Sequence, residues 1–264
     1  MCELFGAISA RPVSLAHWFV PFRARGGRLA DNPDGWGLAS WKSAVLRIEK
    51  APEPGSTSAR FGRLARTLRS ELLIAHVRKA RLPPVPGMLN THPFSHACCG
   101  REWVFAHNGL VPEVIDQYVP GALCKPQGET DSEHAFCHLL AAIAGCYDDA
   151  GNGNWMQRVA DQASVIATFG KFNFLLSDGT ILAAYGHDRL HYLEKSVGRD
   201  ALALVATEPL TPDAWRRFAK GELRIYRSGQ LLMRLKAGEA RFSRSREPSP
   251  AGDGAINQEA AICK

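Results

Sequence analysis

Two hairpin signatures in the second half of the chain restrict its fold more than any other feature. Residues 172–177 and 180–185 are short apolar runs on either side of Asp178-Gly179, and residues 223–226 and 230–235 flank Ser228-Gly229 in the same way. Turns of two residues with glycine join antiparallel neighbours, whereas parallel strands need a long crossover. A further strand is expected over 201–206. The first half reads alike, with strands expected over 2–10, 36–41, 46–50, 72–77 and 103–107. Asn32-Pro33-Asp34-Gly35 is a turn before the second of these, and 46–50 is expected to pair with it.

Helices fall between the strands. One is expected from Ser14 to Phe22, with Ser14 as N-cap, and another from Ser132 to Cys146, opened by Thr130-Asp131-Ser132-Glu133. Arg60, Arg63, Arg66 and Arg69 recur every third residue opposite Phe61, Leu64, Leu68 and Leu72, which predicts an amphipathic helix. Residues 82–88 hold three prolines and a glycine and are read as an irregular loop. Strands dominate both halves and βαβ alternation is weak, so the expected class is α+β, with antiparallel sheets covered by helices. With 45% hydrophobic residues in a chain of 264, one domain over 1–242 has ample core. From Ser243 onward the chain is rich in Ser, Arg, Pro, Gly and Ala and is read as a flexible tail, 243–264.

Charge and cysteine usage exclude several classes. The net charge of +6 raises the question of nucleic acid, but the arginine row reads as a solvated helix face, with no zinc finger or aromatic RNA-binding signature beside it. No apolar run approaches the roughly 18 residues of a membrane span. The start, Met-Cys-Glu-Leu-Phe-Gly, carries an acid where a signal peptide carries a base. Seven cysteines at irregular spacing do not suggest a disulfide framework. A cytoplasmic protein is expected, without nucleic-acid or membrane partners. His134, Cys137 and His138, and the cluster of His92, His96, Cys98 and Cys99, are read as packing, so no metal is assigned. No glycine-rich phosphate loop is present, and no cofactor is expected.

Chemistry enters at the second residue. Removal of Met1 before a small side chain would leave Cys2 with a free α-amine beside its own thiol. An α-amine titrates near ~8 and a thiol near ~8.5, so the amine can take the thiol proton and activate the nucleophile. Hydrolysis of a glutamine side chain through a thioester would also need oxyanion donors, a cation for the substrate α-carboxylate and a carboxylate for its α-ammonium. Each has a candidate at an element end: Asn108 and Gly109 for the oxyanion, Arg78 for the carboxylate and Asp131 for the ammonium. The structural alternatives are a hairpin turn at Asn108-Gly109, a surface charge at Arg78 and a helix cap at Asp131. Trp36, Gly35 and Gly37 are read as structural.

The order Cys2, Ala-His-Val-Arg (75–78), His-Asn-Gly (107–109) and Glu-Thr-Asp-Ser-Glu (129–133) resembles class II glutamine amidotransferases. Asn-Pro-Asp-Gly-Trp-Gly, Asn-Thr-His-Pro-Phe and Gly-Glu-Thr-Asp-Ser-Glu-His-Ala-Phe look like the stand-alone YafJ-like branch, related to EgtC and to the amidotransferase subunit of the yeast glutathione-degrading complex. The resemblance covers about residues 2–235. It implies an Ntn-hydrolase fold, a four-layer αββα sandwich of two antiparallel sheets between helical layers. It also implies Cys2 as nucleophile, Asn108 and Gly109 at the oxyanion, and Arg78 and Asp131 on the substrate. Better-known members keep a Thr-His pair close behind the arginine. Here Thr91-His92 follows the proline-rich loop, and His92 is read as a substrate-pocket residue. The activity implied is cleavage of a γ-glutamyl amide to glutamate and ammonia or an amine. No synthase domain is read after residue 235, so a synthase or peptidase subunit in trans is the implied kind of partner. The alternative from another class is a catalytically silent γ-glutamyl sensor or scaffold subunit.

Overall fold

The computed structural model describes residues 2–81, 87–119, 124–147, 154–197 and 200–237. The expected tail, most of the proline-rich loop and Met1 lie outside them. Among the described residues thirteen strands and four α-helices follow in the order β1 (Glu3–Ser14), α1 (Ala16–Ala24), β2 (Trp36–Lys42), β3 (Val45–Ala51), α2 (Ala59–Thr67), β4 (Arg69–Val77), β5 (Phe94–Cys98), β6 (Arg101–Leu110), α3 (Asp131–Ala144), α4 (Asn154–Ile166), β7 (Lys171–Ser177), β8 (Leu182–Gly186), β9 (His191–Val197), β10 (Asp200–Ala206), β11 (Arg216–Arg217), β12 (Glu222–Arg227) and β13 (Gln230–Leu235). One sheet runs β11-β9-β10-β1-β4-β2-β3 and the other β13-β12-β8-β7-β6-β5. Every strand pairing is antiparallel.

Side-chain alternation along the strands divides the core into three layers. Leu4 and Ile8 of β1, Leu72 and Ile74 of β4, and Val104 and Ala106 of β6 meet between the sheets. Phe5 and Ala7, one residue out of phase, pack with Phe19, Phe22 and Phe61 beneath α1 and α2. Trp103 and Phe105 turn the other way, onto Phe136, Leu140 and Val159 of α3 and α4. With period-2 alternation, each central strand feeds two layers and is buried on both faces. The result is the expected α+β sandwich of four layers.

Both hairpins form as expected, with Gly179 and Gly229 at φ 88° and 81°. Other boundaries differ. Leu15, not Ser14, precedes α1, and no side chain caps it. The arginine row spans two elements: α2 ends at Thr67, so Arg69 and Leu72 belong to β4. Asn108-Gly109 is not a turn but the interior of β6, paired with Asn173 and Phe172 of β7. Strands β5 and β9 and helix α4 were not anticipated. Among the described residues Cys124 and Cys137 are joined by a disulfide, where no disulfide framework was expected.

Candidate active site

Ends of central strands from both sheets converge with the start of α3. Glu3 pairs with Val77 across the β1–β4 ladder, so the residues just outside it, Cys2 and Arg78, lie side by side. The Cys2 Sγ accepts from the Lys79 N–H at 3.2 Å and lies 3.3 Å from the Lys79 carbonyl oxygen, to which the thiol donates. Burial pushes the thiol pKa up, while the Lys79 hydrogen bond, the chain's terminal amine and Arg78 pull it down. The net shift is upward, so the resting thiol is protonated and needs a base to become a nucleophile.

Arg78 is buried, and burial lowers its pKa against the opposing pull of Cys2 and Asp34. Its backbone is fixed by the Asn32–Gly35 turn: the Arg78 N–H donates to Gly35 at 2.8 Å and its carbonyl accepts from Asp34 at 3.0 Å. The Asp34 carboxylate in turn accepts from the Ala80 N–H at 2.8 Å. The turn seen in the sequence therefore carries the loop that follows Arg78.

From the second sheet, Asn108 donates its side-chain amide to the Cys2 carbonyl. That amide is oriented from behind by Asn173, whose Nδ2 lies 3.1 Å from the Asn108 carbonyl oxygen and 3.4 Å from Oδ1. Asn173 is held by the Asp188 carboxylate at 2.7 Å and by the N–H groups of His187 and Asp188, which donate to its Oδ1. Gly109 follows where β6 presses on β7: a Cβ there would lie 1.7 Å from the Lys171 carbonyl oxygen and 2.5 Å from His107 Nε2. Only glycine fits that approach.

Asp131 opens α3, with Thr130 as the N-cap accepting from the Glu133 N–H. The Asp131 carboxylate accepts from the Val111 N–H at 2.6 Å, which ties the helix start to the end of β6. The neighbouring Ser132 hydroxyl is 2.9 Å from His107 Nδ1, and His107 Nε2 is 3.1 Å from the Lys171 carbonyl oxygen. A carbonyl only accepts, so Nε2 carries the hydrogen and, in the neutral ring, Nδ1 accepts from Ser132. Burial lowers the His107 pKa, in keeping with that neutral form.

His92 is buried and stacks on His76 at 4.2 Å between ring centroids and on Phe94 at 4.5 Å. Burial holds its pKa well below the usual range, and among the described residues neither ring nitrogen has a hydrogen-bond partner. Gly37 makes room for this segment: a Cβ there would meet the His92 carbonyl oxygen at 2.1 Å.

Cys2, Arg78, His92, Gly109 and Asp131 all line one cleft, together with Glu129 and Thr130, and Asn108 stands behind Cys2. All six residues singled out from the sequence are thus brought together. Sequence reasoning missed the supports: Asn173, whose partner Asn108 is 65 residues away, and the His107–Ser132 contact. Both are ordinary-looking residues whose pairing depends on the β6–β7 register. Among the described residues neither metal-like cluster assembles as first grouped: Cys137 is bonded to Cys124, and His92 stacks on His76 and Phe94.

A family model described as glutamine amidotransferases class-II matches residues 1–197 and 193–250. YafJ of Escherichia coli (strain K12) is 30% identical over 260 residues, covering 88% of this chain and all of YafJ. The γ-glutamyl-hercynylcysteine sulfoxide hydrolase of Mycobacterium tuberculosis is 29% identical over 179 residues, covering 64% of this chain and 73% of the hydrolase. Among solved structures, a predicted glutamine amidotransferase from Pseudomonas aeruginosa PA01 superposes with a TM-score of 0.68 at 27% identity, covering 88% of this chain and the whole of that one. The glutamine phosphoribosylpyrophosphate amidotransferase of B. subtilis shares the fold at a TM-score of 0.62 and 16% identity. No helix among the described residues is long and apolar enough to cross a membrane.

Proposed function

The chain belongs to the class II glutamine amidotransferases, and from that membership we propose that it cleaves a γ-glutamyl amide through a thioester on Cys2. With Met1 removed, the Cys2 amine takes the thiol proton and the sulfur attacks the γ-carboxamide carbon. Asn108 and Gly109 donate to the oxygen that gains charge. The C–N bond breaks as the amine's proton passes to the leaving nitrogen, which departs as ammonia or an amine. Water, deprotonated by the same amine, then attacks the thioester and glutamate leaves. Arg78 binds the substrate α-carboxylate and Asp131 its α-ammonium, while His92 lines the pocket wall.

The observation that carries this reading is the placement of Cys2 between Arg78 and Asn108, in one cleft with Asp131. Similarity to a hydrolase whose name specifies a γ-glutamyl compound larger than glutamine supports amine as well as ammonia leaving groups. On this reading the reaction would run in the cytoplasm, with ammonia passing to a synthase subunit or the amine to a peptidase subunit.

Intact-mass measurement before and after exposure to a glutamine-like diazoketone tests the reading. The expected result is loss of Met1 and one adduct, absent from Cys2→Ala. Retained Met1 in an active preparation would refute the self-activated nucleophile. Glutamine binding by wild type without any turnover would favour the silent sensor.

A further inference from the structure

Outside the nucleophile's immediate surroundings, His96 of β5, Cys137 of α3 and Cys124 of the segment leading into α3 bring a ring nitrogen and two sulfurs within 4.8 Å of one another. Cys124 and Cys137 are joined as a disulfide. Here an imidazole stands beside it, and a buried carboxylate steadies that ring: Glu133 Oε1 lies 3.0 Å from His96 Nε2. Glu133 is itself fixed, its second oxygen accepting from the Gly128 N–H at 2.8 Å. Two thiols and a histidine oriented by a carboxylate form the donor set of a thiolate–imidazole metal site, complete with its outer partner.

We infer that the reduced form of this cluster binds one divalent cation of the zinc class through Cys124, Cys137 and His96, with water in the fourth position. The disulfide first takes two electrons and two protons from a dithiol, which becomes a disulfide itself. Cation binding then displaces the two thiol protons, and the two thiolates neutralise the double positive charge, which suits a partly buried cluster. Soft sulfur donors select zinc over magnesium or calcium. Metal and disulfide are alternative clamps on the same chain segment, since both tie residue 124 to residue 137 across 13 positions. Glu129, Thr130 and Asp131, which line the cleft, lie inside that closed segment.

The test uses full-length Cys2→Ala protein, so that the cleft thiol takes no metal. It is reduced with dithiothreitol, freed of reductant without oxygen, and titrated with zinc against a chromophoric chelator. One equivalent is expected to bind with submicromolar affinity. Cys137→Ser and Cys124→Ser are each expected to lose at least about tenfold in affinity, and His96→Ala likewise. Replacing Cys98 and Cys99 together by serine is expected to leave binding unchanged, because the sulfurs grouped with His96 are those of Cys124 and Cys137. Cobalt in place of zinc is expected to give a thiolate-to-metal absorption band that disappears in Cys137→Ser. Circular dichroism confirms that each variant is folded. Failure of the reduced protein to bind zinc at submicromolar concentration would overturn the inference. So would binding that survives loss of both Cys124 and Cys137, or that depends on Cys98 and Cys99.

Discussion

Substituting Gly109 by alanine places one methyl group where the two strands of the β6–β7 ladder leave no room. The added Cβ would lie 1.7 Å from the Lys171 carbonyl oxygen and 2.5 Å from both the Lys171 carbonyl carbon and His107 Nε2. Non-bonded carbon contacts are optimal near ~3.5 Å, so the strands must separate by more than an ångström. The Lys171 carbonyl is also the acceptor for His107, so the same displacement breaks the hydrogen bond that sets the histidine. Overpacking costs roughly 1–3 kcal/mol, and a buried polar group left unpaired adds roughly 1–3 kcal/mol. A total of about 2–6 kcal/mol corresponds to a fall in Tm of roughly 4–24 °C for a chain of this size. Gly145, where an added Cβ meets nothing within 4 Å, supplies the control. Calorimetry or thermal circular dichroism on Gly109→Ala and Gly145→Ala provides the comparison. A Gly109→Ala protein melting within about 2 °C of wild type would refute the close approach and the argument for glycine there.

Other consequences can be measured directly. Asn108→Ala is expected to lower kcat by about 10²–10³-fold with glutamine, the usual cost of one oxyanion donor. Asn173→Ala should lower kcat by a smaller factor with KM nearly unchanged, since it acts through Asn108; an unaltered kcat would show that Asn108 orients itself. Arg78→Met should raise KM by about 30-fold through loss of a charge-assisted contact, and much less for a substrate amide lacking the α-carboxylate. His76 is buried with its pKa lowered from 6.5 to about 3, burial being the main cause. The unfolded chain therefore takes up a proton that the native protein refuses. Stability from this group is present above pH 6.5 and lost as pH falls toward 3, on the order of 5 kcal/mol in all. Urea unfolding between pH 7 and 4 should show a flatter pH dependence in His76→Phe; identical slopes would remove His76 as the cause.

Local chemistry was legible in the sequence wherever it was contiguous. Asp178-Gly179 and Ser228-Gly229 marked both C-terminal hairpins because glycine relieves positive φ at a position that the turn dictates. Cys2, Arg78, Asn108, Gly109 and Asp131 were found because each stands at or near an element end within a short motif. Helix α4 was missed although Trp155, Val159, Ala163 and Ile166 repeat at helical spacing and are buried on one face; its signal was present and unread. Strand β5 was hidden by Pro93 and by the polar Ser95 and His96, which burial statistics would place in a loop. Asn173 was not recoverable in principle. Its role comes from facing Asn108 across a ladder, and register between distant strands is set by the whole sheet, not by either segment. The disulfide likewise joins a cysteine outside regular structure to one inside α3, and residue spacing carries no trace of that proximity.

The placement of β1 has a consequence for how the molecule comes into being. Its neighbours in the sheet are β4 and β10, and the Leu4 N–H and carbonyl both bond Thr207, 203 residues further along. Pairings at such separation form late in folding, after most of the chain has been synthesised. Pairing with β4 needs only the first third of the chain, but the β10 edge of β1 stays open until residue 207 has been made. That interval is the time available to an aminopeptidase. A ribosome-bound chain stalled before β10 should already lack its initiator methionine yet react with thiol reagents like an unfolded peptide, and it should gain selectivity for γ-glutamyl compounds only once residue 207 has emerged.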